Sequence, residues 1–143
     1  MKEKIGCILL VDDDEMVNCL NTIRISKAGI ADEIEPVLNG QKALEFLTST
    51  GQFVTNVNST TRPLLIVLDI NMPVMDGWEF IEEYQKTDVS EKDKIIIVMH
   101  TTSTNPADQL RAESIPEISS FTKKPLTQEL LNTIMNNHFP ELL

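Results

Sequence analysis

Three apolar runs constrain this chain more than any other feature: Ile5–Val11, Leu64–Leu68 and Ile95–Met99. Each has the length of a strand, and each is continuous rather than alternating. Successive strand residues point to opposite faces. A continuous run therefore needs apolar cover on both faces, which is the situation of a parallel sheet sandwiched between helices. Weaker strand signals fall at Glu33–Leu38 and Ile118–Thr122. Helical spacing fills the intervals, with Met16, Leu20 and Ile23 first, then Ala43, Leu44 and Leu47, then Trp78, Ile81 and Tyr84. A fourth helix begins at Thr104 or Asn105 as N-cap with Pro106 in its first turn, and Leu130, Leu131, Ile134 and Met135 mark a fifth that runs to about His138. The alternation predicts an α/β fold, a doubly wound five-stranded parallel sheet. Right-handed crossovers put its functional rim at the carboxyl ends of the strands.

Composition removes several classes of function. At 143 residues, 41% hydrophobic and 24% charged, the chain suits one ordinary globular domain rather than a disordered or disulfide-stapled one. Its net charge of −10 offers no basic footprint for a phosphate backbone, so direct nucleic-acid binding is not expected. The apolar runs are far short of the roughly 20 residues that a membrane helix needs, so no membrane insertion is expected. The stretch after Met1 ends in Asp12-Asp13-Asp14-Glu15 rather than a cleavage site, and reads as a buried strand. Cys7 and Cys19 lack a partner at metal spacing and read as reduced core thiols of a cytoplasmic protein. Thr48–Pro63, rich in Thr, Ser, Asn and Gly, reads as a long surface loop.

Each strong strand ends in a reactive group. Val11 runs into Asp12-Asp13, Leu68 into Asp69, and Met99 into His100-Thr101-Thr102. Parallel strands bring these ends to one rim, where unit charges about 4 Å apart repel by roughly 4 kcal/mol at an effective dielectric of about 20. Such a cluster calls for a cation. Oxygen donors without His or Cys favour a hard ion, and few carboxylates completed by water suit Mg²⁺ (or Mn²⁺) better than Ca²⁺. Taken alone, Asp12 to Glu15 would also suit an acid-decorated helix N-terminus, and Asp69 is what gives the pair its second meaning.

The stretch Leu65-Ile66-Val67-Leu68-Asp69-Ile70-Asn71-Met72-Pro73 leads through Val74-Met75-Asp76 to Gly77. With the acid pair after the first strand, Thr101 after the fourth and Lys124-Pro125 after the fifth, the chain resembles the receiver domain of two-component response regulators along essentially its whole length. The resemblance implies a flavodoxin-like (βα)5 fold with strand order 2-1-3-4-5, and a single receiver over residues 1–143 with no output domain. It makes Asp69 the phosphoacceptor, taking a phosphoryl group from a phosphohistidine on a sensor histidine kinase or a histidine phosphotransfer protein. Asp13 would bind Mg²⁺ directly, Asp12 through water, and the Asn71 carbonyl would join Asp69 in completing the ligands. Lys124 would neutralise phosphoryl oxygens, with Pro125 following a cis bond.

In the same resemblance, Thr101 is the switch hydroxyl, ahead of Thr102 and Ser103, and Phe121 is the aromatic that moves with it. Asn71 and Ser103 stand where the family sets the lifetime of the phosphoryl group. The output would be an unidentified protein target, and a homodimer through the fourth helix, fifth strand and fifth helix stays open. No enzyme activity beyond its own phosphorylation and dephosphorylation is implied. Without the resemblance, Lys124 would read as a solvated lysine and Phe121 as a core aromatic. His100 departs from the usual apolar residue; it reads as a satisfied, partly buried histidine, although its ordinary pKa would let it titrate near neutrality. His138 reads as a favourable charge at a helix C-terminus. Two alternatives remain, a pseudo-receiver that binds a partner without phosphorylation, and a Mg²⁺-dependent phosphatase with an aspartate nucleophile. Against the second, the chain reads Asp69-Ile70-Asn71 where such phosphatases carry a second acid. A nucleotide-binding domain would need a glycine-rich phosphate loop, which is missing from the sequence.

Overall fold

All seven residues of β1 (Ile5–Val11) are buried, the expected state of a continuous apolar strand at the middle of a sheet. The computed structural model describes residues 4–48, 64–87 and 94–142. Around β1 the chain runs through α1 (Glu15–Ala28), β2 (Ala31–Val37), α2 (Gly40–Leu47), β3 (Leu64–Leu68), α3 (Gly77–Lys86), β4 (Ile95–Thr101), α4 (Pro106–Glu113), β5 (Ile118–Lys123) and α5 (Gln128–His138), with a closing 3-10 turn at Pro140–Leu142. The five strands are parallel in the order 2-1-3-4-5, as the resemblance implies.

Strand alternation divides the core into two layers. Leu9, Val11, Ile66, Leu68, Ile97 and Met99 face Phe46, Trp78, Phe80, Ile81 and Tyr84 of α2 and α3. Ile8, Leu10, Leu65, Val67 and Val98 face Ile25 of α1 and Leu131, Ile134 and Met135 of α5. Side-chain caps set the helix starts. Asp14 accepts from the amides of Met16 and Val17, Asn39 from Lys42, and Thr127 from Leu130. Asp76 and Glu79 form a reciprocal capping box on α3, and Asn105 rather than Thr104 caps α4 ahead of Pro106. Gly29 closes α1 at φ 65°, donating its N–H to the carbonyls of Ile25 and Ser26.

Several expectations change. β2 spans Ala31–Val37 rather than Glu33–Leu38. It is an edge strand, where exposed acids and Pro36 are tolerated, so its N-terminal half carried little apolar signal. β4 and β5 extend to Thr101 and Lys123, so His100 and Thr101 lie inside a strand, opposite Thr122 and Lys123. The stripe Met16, Leu20, Ile23 does lie on a helix but faces outward, at 65%, 57% and 47% exposure. α1 instead buries Asn18, Asn21 and Ile25. Cys7 is a core thiol as read, whereas Cys19 is exposed on α1 and is not. Of the loop read over Thr48–Pro63, Thr48 forms the C-terminal cap of α2, and residues 49–63 lie outside the described residues.

Candidate functional site

The backbone presents the acids before any side chain acts. The Asp12 amide donates to Val37 of β2 and the Asp69 amide to Val11 of β1, at 3.1 and 3.0 Å, so both residues continue the ladder past the strand ends. Carboxylate oxygens of Asp12, Asp13 and Asp69 lie within 4.8 Å of one another, with Asp12 and Asp69 buried and Asp13 exposed. From the end of β5, the Lys124 ammonium donates to Asp12 Oδ2 and reaches Asp69 Oδ2 at 3.3 Å. The Lys124 amide donates to the Thr101 carbonyl at 3.0 Å, and the Lys124–Pro125 peptide is cis, as the resemblance implies.

Electrostatics follow from this packing. Burial raises the Asp69 pKa above the usual carboxylate value, and the Asp12 charge adds to it, while Lys124 and the Ile70 amide, 2.8 Å from Oδ1, act in the opposite sense. For Lys124 burial is the largest influence and lowers the pKa. The Asp12 hydrogen bond and the charges of Asp69 and Asp12 together outweigh it, and the lysine ends above its ordinary value. One ammonium thus serves two buried carboxylates, with Asp13 beside them at the solvent edge. The donors are all oxygen and one side is open, which fits a hard dication such as Mg²⁺ that keeps part of its water. The positive charge such an ion supplies adds to that of Lys124 at the same carboxylates.

The other expected residues fall into two groups. Thr101 is fully buried at the end of β4, and its Oγ1 accepts from the Ser103 amide at 3.1 Å. Ser103 donates its hydroxyl to Asp108 of α4, and Thr102 is exposed. Asn71 lies exposed in the loop two residues beyond Asp69. Phe121 is half-buried against the α2–α3 layer, and its ring carries the Lys123 ammonium at 5.5 Å. Lys123 also donates to the Ser103 carbonyl, so the two adjacent lysines divide the work, Lys124 at the acids and Lys123 on the β4–α4 loop.

Sequence reasoning missed two supporting residues. Asn18 of α1 donates its amide to the carbonyls of Asp12 and Val37, fixing the backbone that carries the acid pair. No sequence signal marks it, because an Asn within a helix ordinarily reads as exposed. Gly77 permits a close approach: a Cβ there would stand 2.5 Å from the Asp69 carbonyl oxygen. Its place in the Met-Pro turn pointed to a turn, and not to this contact. The two histidines also differ from expectation. His100 is more fully buried than the partly buried histidine expected, and its pKa falls to about 4, chiefly through burial, so the open possibility of titration near neutrality is excluded. His138 meets Ser120 Oγ at 3.0 Å, and burial lowers its pKa, so it acts as a hydrogen-bonding group more than as a helix-end charge.

Residues 8–136 match the family described as the response regulator receiver domain. The chain belongs to that family. Among curated relatives, this receiver is 30% identical over 123 residues to the probable methanogenesis regulatory protein FilR2 of Methanothrix harundinacea, covering 85% of this chain and 74% of that protein. It is 29% identical over 136 residues to the two-component response regulator ORR41 of Oryza sativa subsp. japonica, covering 94% and 95%. A crystal structure of a two-component response regulator from Cytophaga hutchinsonii is similar at 34% identity with a TM-score of 0.79, over 94% of this chain and 97% of that one. Membership makes the protein a two-component signalling module and implies a histidine kinase as partner. Among the described residues no helix is long and apolar enough to cross a membrane.

Proposed function

We propose that this receiver accepts a phosphoryl group on the Asp69 carboxylate from a phosphohistidine of a cytoplasmic sensor kinase or histidine phosphotransfer protein, in a Mg²⁺-dependent reaction. An oxygen of Asp69 forms the new bond to phosphorus, the P–N bond breaks, and its electron pair returns to the donor imidazole, leaving an acyl phosphate. The observation that carries this reading is the Lys124 ammonium set against the buried carboxylates of Asp12 and Asp69. Phosphoryl transfer needs positioning and charge neutralisation more than covalent assistance, and this arrangement supplies both. Asp12, Asp13, Asp69 and the Asn71 carbonyl would hold the metal. Lys124 neutralises phosphoryl oxygens.

The switch we assign runs through Thr101 and Phe121. Thr101 Oγ1 accepts from Ser103 and keeps its own proton free, which the hydroxyl can donate to a phosphoryl oxygen. Phe121 would repack as Thr101 moves, altering the face formed by α4, β5 and α5 and so the affinity for a protein target or a second copy. The exposed stripe Met16, Leu20 and Ile23 begins two residues after the acidic N-cap of α1 and offers an apolar surface beside the acids for the phosphodonor protein.

Intact mass after incubation with acetyl phosphate tests the reading. We expect one added phosphoryl group with Mg²⁺, none without it, and none in Asp69→Asn. An unphosphorylated wild type with both acetyl phosphate and a phosphohistidine donor would overturn it in favour of a pseudo-receiver, and phosphorylation of Asp69→Asn would remove Asp69 as the acceptor.

A further inference from the structure

Behind the acids, between α1 and the sheet, lies a cavity of about 10 Å³ lined by Asn18, His100, Asp69, Leu10 and Val67 among others. Two side chains that line it are almost wholly buried, Asn18 at 3% and His100 at 2% exposure. The hydrogen bonds around them fix what each presents. Asn18 Nδ2 donates to the carbonyls of Asp12 at 2.9 Å and Val37 at 3.3 Å, so the amide cannot be flipped and Oδ1 is left as an acceptor. His100 Nδ1 lies 2.9 Å from Thr122 Oγ1, which lies 2.7 Å from the Met99 carbonyl. A hydroxyl has a single proton. The carbonyl can only accept, so the Thr122 proton goes to Met99 and the imidazole must carry its proton on Nδ1. Nε2 is then a bare lone pair.

Asn18 Oδ1 and His100 Nε2 are also the two buried side-chain atoms that meet no donor among the described residues. Two acceptors left unmade are costly in a buried site. The cavity has the volume of one water molecule, and a water carries two O–H donors. A metal ion fits less well, because His100 stands outside the group of ligand atoms that Asp12, Asp13 and Asp69 bring within 4.8 Å. We propose that Asn18 Oδ1 and His100 Nε2 together bind one buried water molecule, which donates a proton to each. The water closes a chain of hydrogen bonds from the Asp12 and Val37 carbonyls through Asn18, His100 and Thr122 to Met99. α1 and the backbone that carries the acid pair are thereby tied to β4 one residue before Thr101. An apolar residue at position 100 would break the link.

NMR on the full chain tests this without any substitution. Long-range ¹H–¹⁵N correlation should show the His100 ring protonated on Nδ1 and bare on Nε2 at neutral pH, and both His100 and the Asn18 amide should show cross-relaxation with a long-lived water. A proton on Nε2, or no such water, overturns the proposal. In His100→Leu the water signal at the Asn18 amide should be lost completely; its persistence would show that Nε2 is not a ligand and would also overturn the proposal. Treatment with EDTA should leave the wild-type signals unchanged, whereas their loss would identify a bound metal in place of water.

Discussion

Helices α1 and α3 make an instructive pair. Both follow a strand that ends in an acid, both are capped by an aspartate, Asp14 or Asp76, and both carry three large side chains at helical spacing. α3 buries its stripe, Trp78, Ile81 and Tyr84, together with Phe80, against Ile66, Leu68, Ile97 and Met99. α1 exposes Met16, Leu20 and Ile23 and turns two asparagines inward. The difference lies in what each meets. The stripe of α3 meets apolar sheet residues, whereas the first turns of α1 stand over the carbonyls of Asp12 and Val37, which Asn18 satisfies. Period is a local property of the sequence. Phase is set by the surface beneath.

The largest expected effect separates the stripes directly. Ile81→Ala should cost about 2–5 kcal/mol in urea denaturation, the usual range for a fully buried aliphatic side chain. Leu20→Ala should change stability by no more than about 0.5 kcal/mol, and a cost comparable to that of Ile81→Ala would mean that α1 packs on its other face.

Acid should act through the polar side of the α1 layer. The His100 pKa is lowered from 6.5 to about 4 in the folded protein, so between those values the unfolded chain binds a proton that the folded chain does not. Stability attributable to His100 is complete above the unfolded value and is lost as pH falls toward about 4, by about 3 kcal/mol in all. In His100→Leu that part of the acid dependence should vanish from a pH series of denaturation midpoints, and an unchanged profile would show that other groups govern it.

The approaches to the two helices also differ. Asp14 leads directly into α1, but α3 is reached through Val74, a β-branched residue at φ 69° and 79% exposed. That conformation is strained for Val, and the exposed side chain offers little in return. Val74→Gly should therefore raise stability by about 1 kcal/mol, measured as a higher denaturation midpoint. A lower midpoint would show that the turn is held by its side chain. The smallest stability effect belongs to the outer stripe. Replacing Met16, Leu20 and Ile23 together by Ala should move the midpoint little and slow phosphorylation by a phosphohistidine protein more than phosphorylation by acetyl phosphate. Equal slowing would remove the stripe as a docking surface.

Most of the candidate site was readable along the chain because its parts stand at strand ends. A parallel sheet must bring the residues after Val11, Leu68 and β5 to one rim, and the family resemblance, through the Lys124–Pro125 pair, singles out which lysine arrives there. Supporting residues were hidden for a different reason. Asn18 donates to backbone carbonyls and Gly77 makes room beside one, and nothing in their own neighbourhoods records those contacts.

Local chemistry was thus enough to place β1, β3 and the apolar part of β4, their parallel arrangement and the convergence of Asp12, Asp13 and Asp69, since burial on both faces leaves a continuous apolar strand few other partners. Packing settled the rest: which face of α1 turns inward, that Cys19 is outside, and that His100 is buried with a lowered pKa. A residue's spacing is written in its neighbours along the chain, but its burial and protonation depend on groups that only the folded sheet brings against it.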